Sequence, residues 1–306
     1  MTQTTANPTP AAARAAAVLT AYIRMFSAAA EDVADTLRGR NGSDPFELRD
    51  PQYIQRTLPA LRLASDFYFR ADVTGLEKIP QEGPVLLVGN HSGGTMIADT
   101  FVFAQAFYDH FGPVRPFYQL AHDLVFKMPG LRSLVQRFGT VPASPSNMGE
   151  ALERDAALLV YPGGDQETFR PSWESDRIDF AERKGFVKLA LEHGVSVIPI
   201  VAIGGQETGL FLGRGRRLAR GLGLDRLMRL KVLPPVLGPP VGLTVMDLPL
   251  RIPIPAKVSI RVLKPIDLRQ RLGRRPDVEE GYRLVTSTMQ RTLTRLSHER
   301  SVPVIG

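Results

Sequence analysis

His91 and Asp99 lie 99 − 91 = 8 positions apart, directly after the apolar run from Pro84 to Gly89. An imidazole accepts a proton near neutral pH, and a carboxylate on its other ring nitrogen fixes the tautomer and stabilises the imidazolium. The chemistry offered is deprotonation of an attacking hydroxyl. A continuous helix would turn Asp99 roughly 80° away from His91 at 3.6 residues per turn. The pairing therefore requires Ser92, Gly93 and Gly94 to form a loop, which two glycines permit. A second loop, after the apolar residues Leu158 to Tyr161, carries Pro162, Gly163 and Gly164, then Glu167 and Arg170. Taken alone, Pro-Gly-Gly is a tight turn. The chain has no cysteine, so disulfides, thiolate zinc sites and a Cys nucleophile are excluded.

These groups need a scaffold. Pro84 to Gly89 reads as a buried strand, and further strands are expected at Val73 to Leu76, Ala157 to Tyr161, Val195 to Ala202 and Val258 to Leu263. Helical patterns at Asp99 to Phe111 and Asp179 to Glu192 separate them. Alternating strand and helix predicts an α/β fold with a largely parallel central sheet flanked by helices. Ligands of such sheets bind beyond the carboxyl ends of the strands, where both loops fall. Ahead of this core, residues 1–10 read as a disordered lead-in. Residues 11–71 read as an N-terminal helical annex with one helix to about Leu37 and another from Pro51, kinked at Pro59. The α/β domain would span 72–306, with an elaborated insertion at 204–257 rich in Gly, Pro and Arg.

The 306 residues are 43% apolar and carry a net charge of +7. That charge favours an anionic partner: a nucleic acid, an acidic membrane surface or a phosphorylated substrate. Arginines from Arg214 through Arg229, interleaved with leucine, fit docking on an anionic bilayer or a plain solvated face. Nucleic acid is the weaker reading, because no binding motif or aromatic platform accompanies them. No signal peptide is read at the N-terminus, and Val232 to Met246 is too short and too rich in proline to span a bilayer. The expected location is peripheral, on the cytoplasmic side of a membrane.

At this point the sequence resembles the glycerophospholipid acyltransferase superfamily, whose first motif is Asn-His-x4-Asp after a buried strand. Here Asn90 and His91 are followed by seven intervening residues, which is similar to the diacylglycerol acyltransferase-like branch. Pro162-Gly163-Gly164 resembles the family's third motif, and Val197 to Val201 its closing Val-Pro-Val strand. The segment Gly139 to Pro142 occupies the place of the second motif without its usual arginine. The resemblance covers about residues 72–265.

The resemblance implies an O-acyltransferase that moves a fatty acyl group from acyl-coenzyme A or acyl carrier protein to a hydroxyl of a glycerolipid or lysophospholipid. His91 would be the base and Asp99 its partner, with no metal or redox cofactor. Asn90, Ser92, Gly93 and Gly94 would line the substrate, and the two glycines would offer N–H donors to an oxyanion. Gly163 and Gly164 would let backbone approach the acceptor beside Pro162, while Glu167 and Arg170 contact its polar head. Arg183 and Lys184, before a helix, meet a coenzyme A phosphate or form a solvated face.

Two rival readings follow from the same residues. His91-Ser92-Gly93 resembles a nucleophile elbow with Ser92 as the nucleophile of an α/β serine hydrolase, although Asn90 stands where the turn wants glycine. The other rival is an inactive lipid-binding protein of the membrane surface.

Overall fold

The computed structural model describes residues 44–123, 125–127, 131–224, 232–245, 251–273, 276–302 and 304–305. The lead-in and the first expected helix lie outside these residues. So do Arg226 and Arg229 of the basic segment.

The described chain opens with α1 (Pro51–Leu63), where Asp50 caps the helix by accepting the Tyr53 N–H at 2.9 Å and Pro51 fills a position that needs no donor. The helix runs through Pro59 and widens into a π-helical turn at Ala64–Tyr68. The core follows as β1 (Asp72–Thr74), β2 (Val85–Gly89), α2 (Ala98–Phe111), β3 (Phe117–Ala121), α3 (Leu131–Arg137), β4 (Thr140–Pro142), α4 (Pro145–Glu153) and β5 (Ala157–Val160). After it come α5 (Gly164–Thr168), α6 (Gly185–His193), β6 (Val197–Ile203), β7 (Leu210–Phe211), α7 (Arg216–Gly221), β8 (Val236–Gly238), β9 (Gly242–Thr244), β10 (Ser259–Val262), α8 (Leu268–Leu272) and α9 (Val278–Glu299).

A seven-stranded sheet has the order β1-β10-β6-β2-β5-β3-β4, and every neighbouring pair is parallel except β10 with β6. The expected α/β class with a largely parallel sheet is what the chain adopts. The expected helix over 179–192 begins only at Gly185, because Ala181 and Glu182 take positive φ and break the helical path.

Strand β2 shows how the sheet is buried. Leu86 and Val88 join the apolar layer under α4, α6 and α9, while Val85 and Leu87 join the layer under α1 and α2. All four are buried, as a strand covered on both faces must be. Ile54 and Leu58 of α1 sit in the same layer as Val102 and Phe103 of α2. β2 lies between β5 and β6 in parallel register, with Val88 opposite both Val160 and Pro199. The loops leaving these three strands therefore emerge side by side. A separate three-stranded sheet, β7-β8-β9, forms within residues 210–244.

Candidate active site

The loop after β2 does not continue as helix. Gly93 and Gly94 take φ of 93° and 65°, a short 3-10 turn follows at Gly94–Met96, and α2 starts at Ala98. This path returns Asp99 to His91: His91 Nδ1 lies 3.4 Å from Asp99 Oδ2. The loop that the eight-residue spacing demanded is present.

Asp99 is buried and densely bonded. Its Oδ2 accepts the Ser92 N–H at 2.8 Å and the Ser92 hydroxyl at 3.1 Å, and its Oδ1 accepts the Thr100 N–H at 2.7 Å. The Ser92 hydroxyl is thus buried and donates to a carboxylate. It is not paired with a histidine, as a serine nucleophile requires. Ser92 was expected to line the substrate; here its side chain is buried and its hydroxyl is turned to Asp99.

The ring of His91 stacks on Tyr161, with centroids 4.2 Å apart and planes 16° from parallel. Tyr161 in turn accepts the Thr100 hydroxyl at 3.1 Å. Burial and the Asp99 charge hold its phenol well above the usual range, so it stays protonated. The Asp99 contact at His91 Nδ1 and the Tyr161 stacking together fix the imidazole plane and leave Nε2 as the ring nitrogen that could accept a proton.

The loop after β5 supports the main chain of His91. Glu167 Oε2 accepts the His91 N–H at 2.9 Å, and Arg170 Nη1 donates to the His91 carbonyl at 2.9 Å. Glu167 Oε1 accepts the Asp179 N–H at 3.1 Å. Burial pushes the Glu167 carboxyl up to about 7, against the opposing pull of the Arg170 guanidinium and these two backbone donors. Glu167 and Arg170 were expected to touch the polar head of an acceptor. Both are buried beneath the loop, and their bonding groups are turned to protein. They position His91.

Other expected contacts are likewise internal. Asn90 exchanges two 2.8 Å hydrogen bonds with the Ala202 backbone and so fastens the loop to β6. The Gly93 N–H donates to Gln206 Oε1 at 3.1 Å, which removes it from the expected oxyanion donors, and the Gly94 carbonyl accepts the Thr168 hydroxyl at 3.2 Å. A Cβ at Gly163 would fall 2.5 Å from Glu167 Oε2 and 2.6 Å from the Asp179 carbonyl, so this glycine makes room for the buried carboxylate. Arg183 donates to the Pro162 and Gly163 carbonyls at 3.1 and 3.0 Å and pairs with Asp165 at 3.0 Å, close over Gly164. Lys184 pairs with Glu279 at 2.5 Å and Glu182 at 3.3 Å.

The structure also adds residues that the sequence reading passed over. Gln206, buried in the short turn Gly205–Thr208 after β6, bridges Gly93 and the Arg170 carbonyl. Its place in a loop after a parallel strand was the available signal. Arg251 is buried and donates to the Gly93 carbonyl at 3.2 Å and to the Thr208 carbonyl. No sequence feature marks it, because it comes from a distant part of the chain.

Residues 70–203 match the Acyltransferase family model. An uncharacterized protein of Mycobacterium tuberculosis (strain H37Rv) is 29% identical over 244 residues, which cover 79% of this chain and 65% of that protein. The Bos taurus protein named DGAT1/2-independent enzyme synthesizing storage lipids is 34% identical over 151 residues, 49% of this chain and 43% of that protein. The chain thus spans less than two thirds of the length of these relatives. The crystal structure of the 1-acyl-sn-glycerophosphate (LPA) acyltransferase PlsC from Thermotoga maritima aligns with a TM-score of 0.54 at 17% identity. That alignment covers 94% of this chain and 98% of PlsC, so the two share a fold. The stretch 70–203 that matches the acyltransferase family model holds His91, Asp99, Tyr161 and Glu167.

Proposed function

We propose that the protein is an O-acyltransferase that uses His91 as general base on a lipid hydroxyl, with acyl-coenzyme A or acyl carrier protein as donor. The observation that carries this reading is the His91–Asp99 contact at 3.4 Å on a loop whose peptide is held from both sides. The acceptor O–H gives its proton to His91 Nε2, and the oxygen attacks the thioester carbonyl carbon. The tetrahedral oxyanion then expels the thiolate, the C–S bond breaks, and the imidazolium returns the proton to sulfur. Of the two glycines expected as oxyanion donors, Gly94 is the one assigned here.

A neutral acceptor hydroxyl fits better than a phosphorylated one. Arg170 is buried on protein carbonyls, Arg183 is paired with Asp165, and Lys184 with two glutamates. A phosphate at this site would have to compete with those partners. The bovine relative's name, an enzyme synthesizing storage lipids, is in keeping with that class. Because such acceptors partition into lipid, the reading places the protein at an anionic membrane surface. No helix among the described residues is long and apolar enough to cross a membrane.

The test is transfer of a labelled acyl group from acyl-coenzyme A across acceptors that differ in headgroup. Wild type should favour diacylglycerol or long-chain alcohols over lysophosphatidate, and His91→Ala should lose about 100- to 10,000-fold of the rate. Full activity in His91→Ala, or abolition in Ser92→Ala with acyl-enzyme trapped on wild type, would instead support a serine hydrolase.

A further inference from the structure

The chemistry does not use the small sheet, and its two faces differ. Register sets Leu210 opposite Leu237, and Leu237 opposite Leu243. These three side chains form one row across the sheet, and they are 41%, 43% and 61% exposed. Phe211 and Val236, their neighbours in the strands, alternate to the other face and are fully buried. Leu212, whose N–H still pairs with the Pro235 carbonyl at 2.9 Å, and Val245 are exposed beyond the row's strands, as is Val241 in the β8–β9 turn. A solvated face of an antiparallel sheet is ordinarily polar, and a contiguous apolar patch of this kind marks a contact surface.

Charge and connection identify the contact. Directly after β7, helix α7 exposes Arg217 and Arg220 beside the exposed Leu218, with exposed Leu222 following it. On the inner face, the Arg251 guanidinium lies 5.5 Å over the Phe211 ring while donating to Gly93. Its chain runs so close to β8 that a Cβ at Gly238 would meet Arg251 Cδ at 2.7 Å. The sheet is therefore tied to the loop that follows His91.

We infer that the outward face of β7-β8-β9 seats the protein on an anionic bilayer, with the leucine row among the upper acyl chains and Arg217 and Arg220 at the headgroups. This rests on the acyltransferase reading, which brings a membrane-borne acceptor to the loop that Arg251 ties to the sheet. An anionic lamella neutralises the exposed arginines of the helix that follows β7. Pairing of two copies through this face would gather the arginines of both at one interface, where like charges oppose association.

The test is co-sedimentation of the full chain with vesicles of equimolar phosphatidylcholine and phosphatidylglycerol, and with vesicles of phosphatidylcholine alone. Light scattering in the same buffer reports self-association. Wild type should bind the anionic vesicles, and the double variant Leu237→Glu/Leu243→Glu should lower the partition about ten-fold or more. Leu243→Gln, which leaves the buried face untouched, should lower it in the same direction with an unchanged thermal melt. His91→Ala should bind as wild type does, so a failure of the catalytic reading is seen separately from a failure of docking. Unchanged partition in the variants, no wild-type binding to either vesicle, equal binding to both, or a wild-type dimer that Leu243→Gln dissociates would each overturn the inference.

Discussion

The His91 N–H donates to Glu167 Oε2 at 2.9 Å, so a carboxylate buried under the second loop holds the peptide of the catalytic candidate on the first. Arg170 holds the carbonyl of the same residue at 2.9 Å. His91 is thus fixed through its backbone, while Asp99 and Tyr161 fix its ring. An orienting shell of this kind turns a mobile imidazole into one held within the narrow geometry that proton transfer needs.

Glu167→Gln tests the clamp. One amide oxygen can accept one of the two N–H donors, and the amide NH2 then faces the other. The substitution should lower kcat about 10- to 100-fold with little change in KM. Equal loss in KM, or a shift in acceptor preference, would show that Glu167 touches substrate instead.

The same carboxyl makes stability depend on pH. Its folded value of about 7 stands above the ordinary 4.5, so between these values only the folded state holds the proton. Stability from this group is complete below about pH 4.5, falls as pH rises through the window, and levels off above about 7, a loss on the order of 3 kcal/mol. Denaturant unfolding of wild type and Glu167→Gln at pH 5 and pH 8 should show a stability difference that changes by that order. A difference independent of pH would refute the assignment.

Asp99→Asn should be more damaging than Ser92→Ala. Asp99 accepts from Ser92 and Thr100 and faces His91 Nδ1. An asparagine cannot stabilise the imidazolium, and the rate should fall about 100- to 10,000-fold. Ser92→Ala removes one donor to that carboxylate and should cost about 1–3 kcal/mol of stability with less than about a ten-fold loss in rate. Reversal of this order in steady-state rates would return Ser92 to the position of nucleophile.

Gly205→Ala probes the seam between the loops after β2 and β6. A Cβ there would stand 2.3 Å from the buried Ser92 hydroxyl. Relief requires moving Ser92, whose hydroxyl is held by Asp99, so the substitution should destabilise by about 1–3 kcal/mol and lower activity. A thermal melt and rate equal to wild type would show that the seam yields freely.

Much of the scaffold was legible in the sequence because apolar runs bounded by glycine and proline record burial on both faces of a strand. Pro84 to Gly89 and Ala157 to Tyr161 became β2 and β5, and Val195 to Ala202 became β6, with ends shifted by a residue or two. The antiparallel direction of β10 was hidden, since a buried strand has the same pattern in either direction. The small sheet was also missed: β7 has two residues, and β8 and β9 have three each, too few for alternation to be read.

The sequence by itself determined the position of the candidate site, because His91 and the Pro162-Gly163-Gly164 turn each follow a buried strand, and loops at that end of a parallel sheet are where ligands bind. Tertiary structure alone decided what each polar residue does there. Asn90, Ser92, Glu167, Arg170 and Gln206 look equally available along the chain, yet parallel register of β2 with β5 and β6 sets the loops that carry them side by side, where each finds a protein partner. Their polar groups, removed from water, must be satisfied inside the protein. That necessity turns expected substrate contacts into the supports of His91.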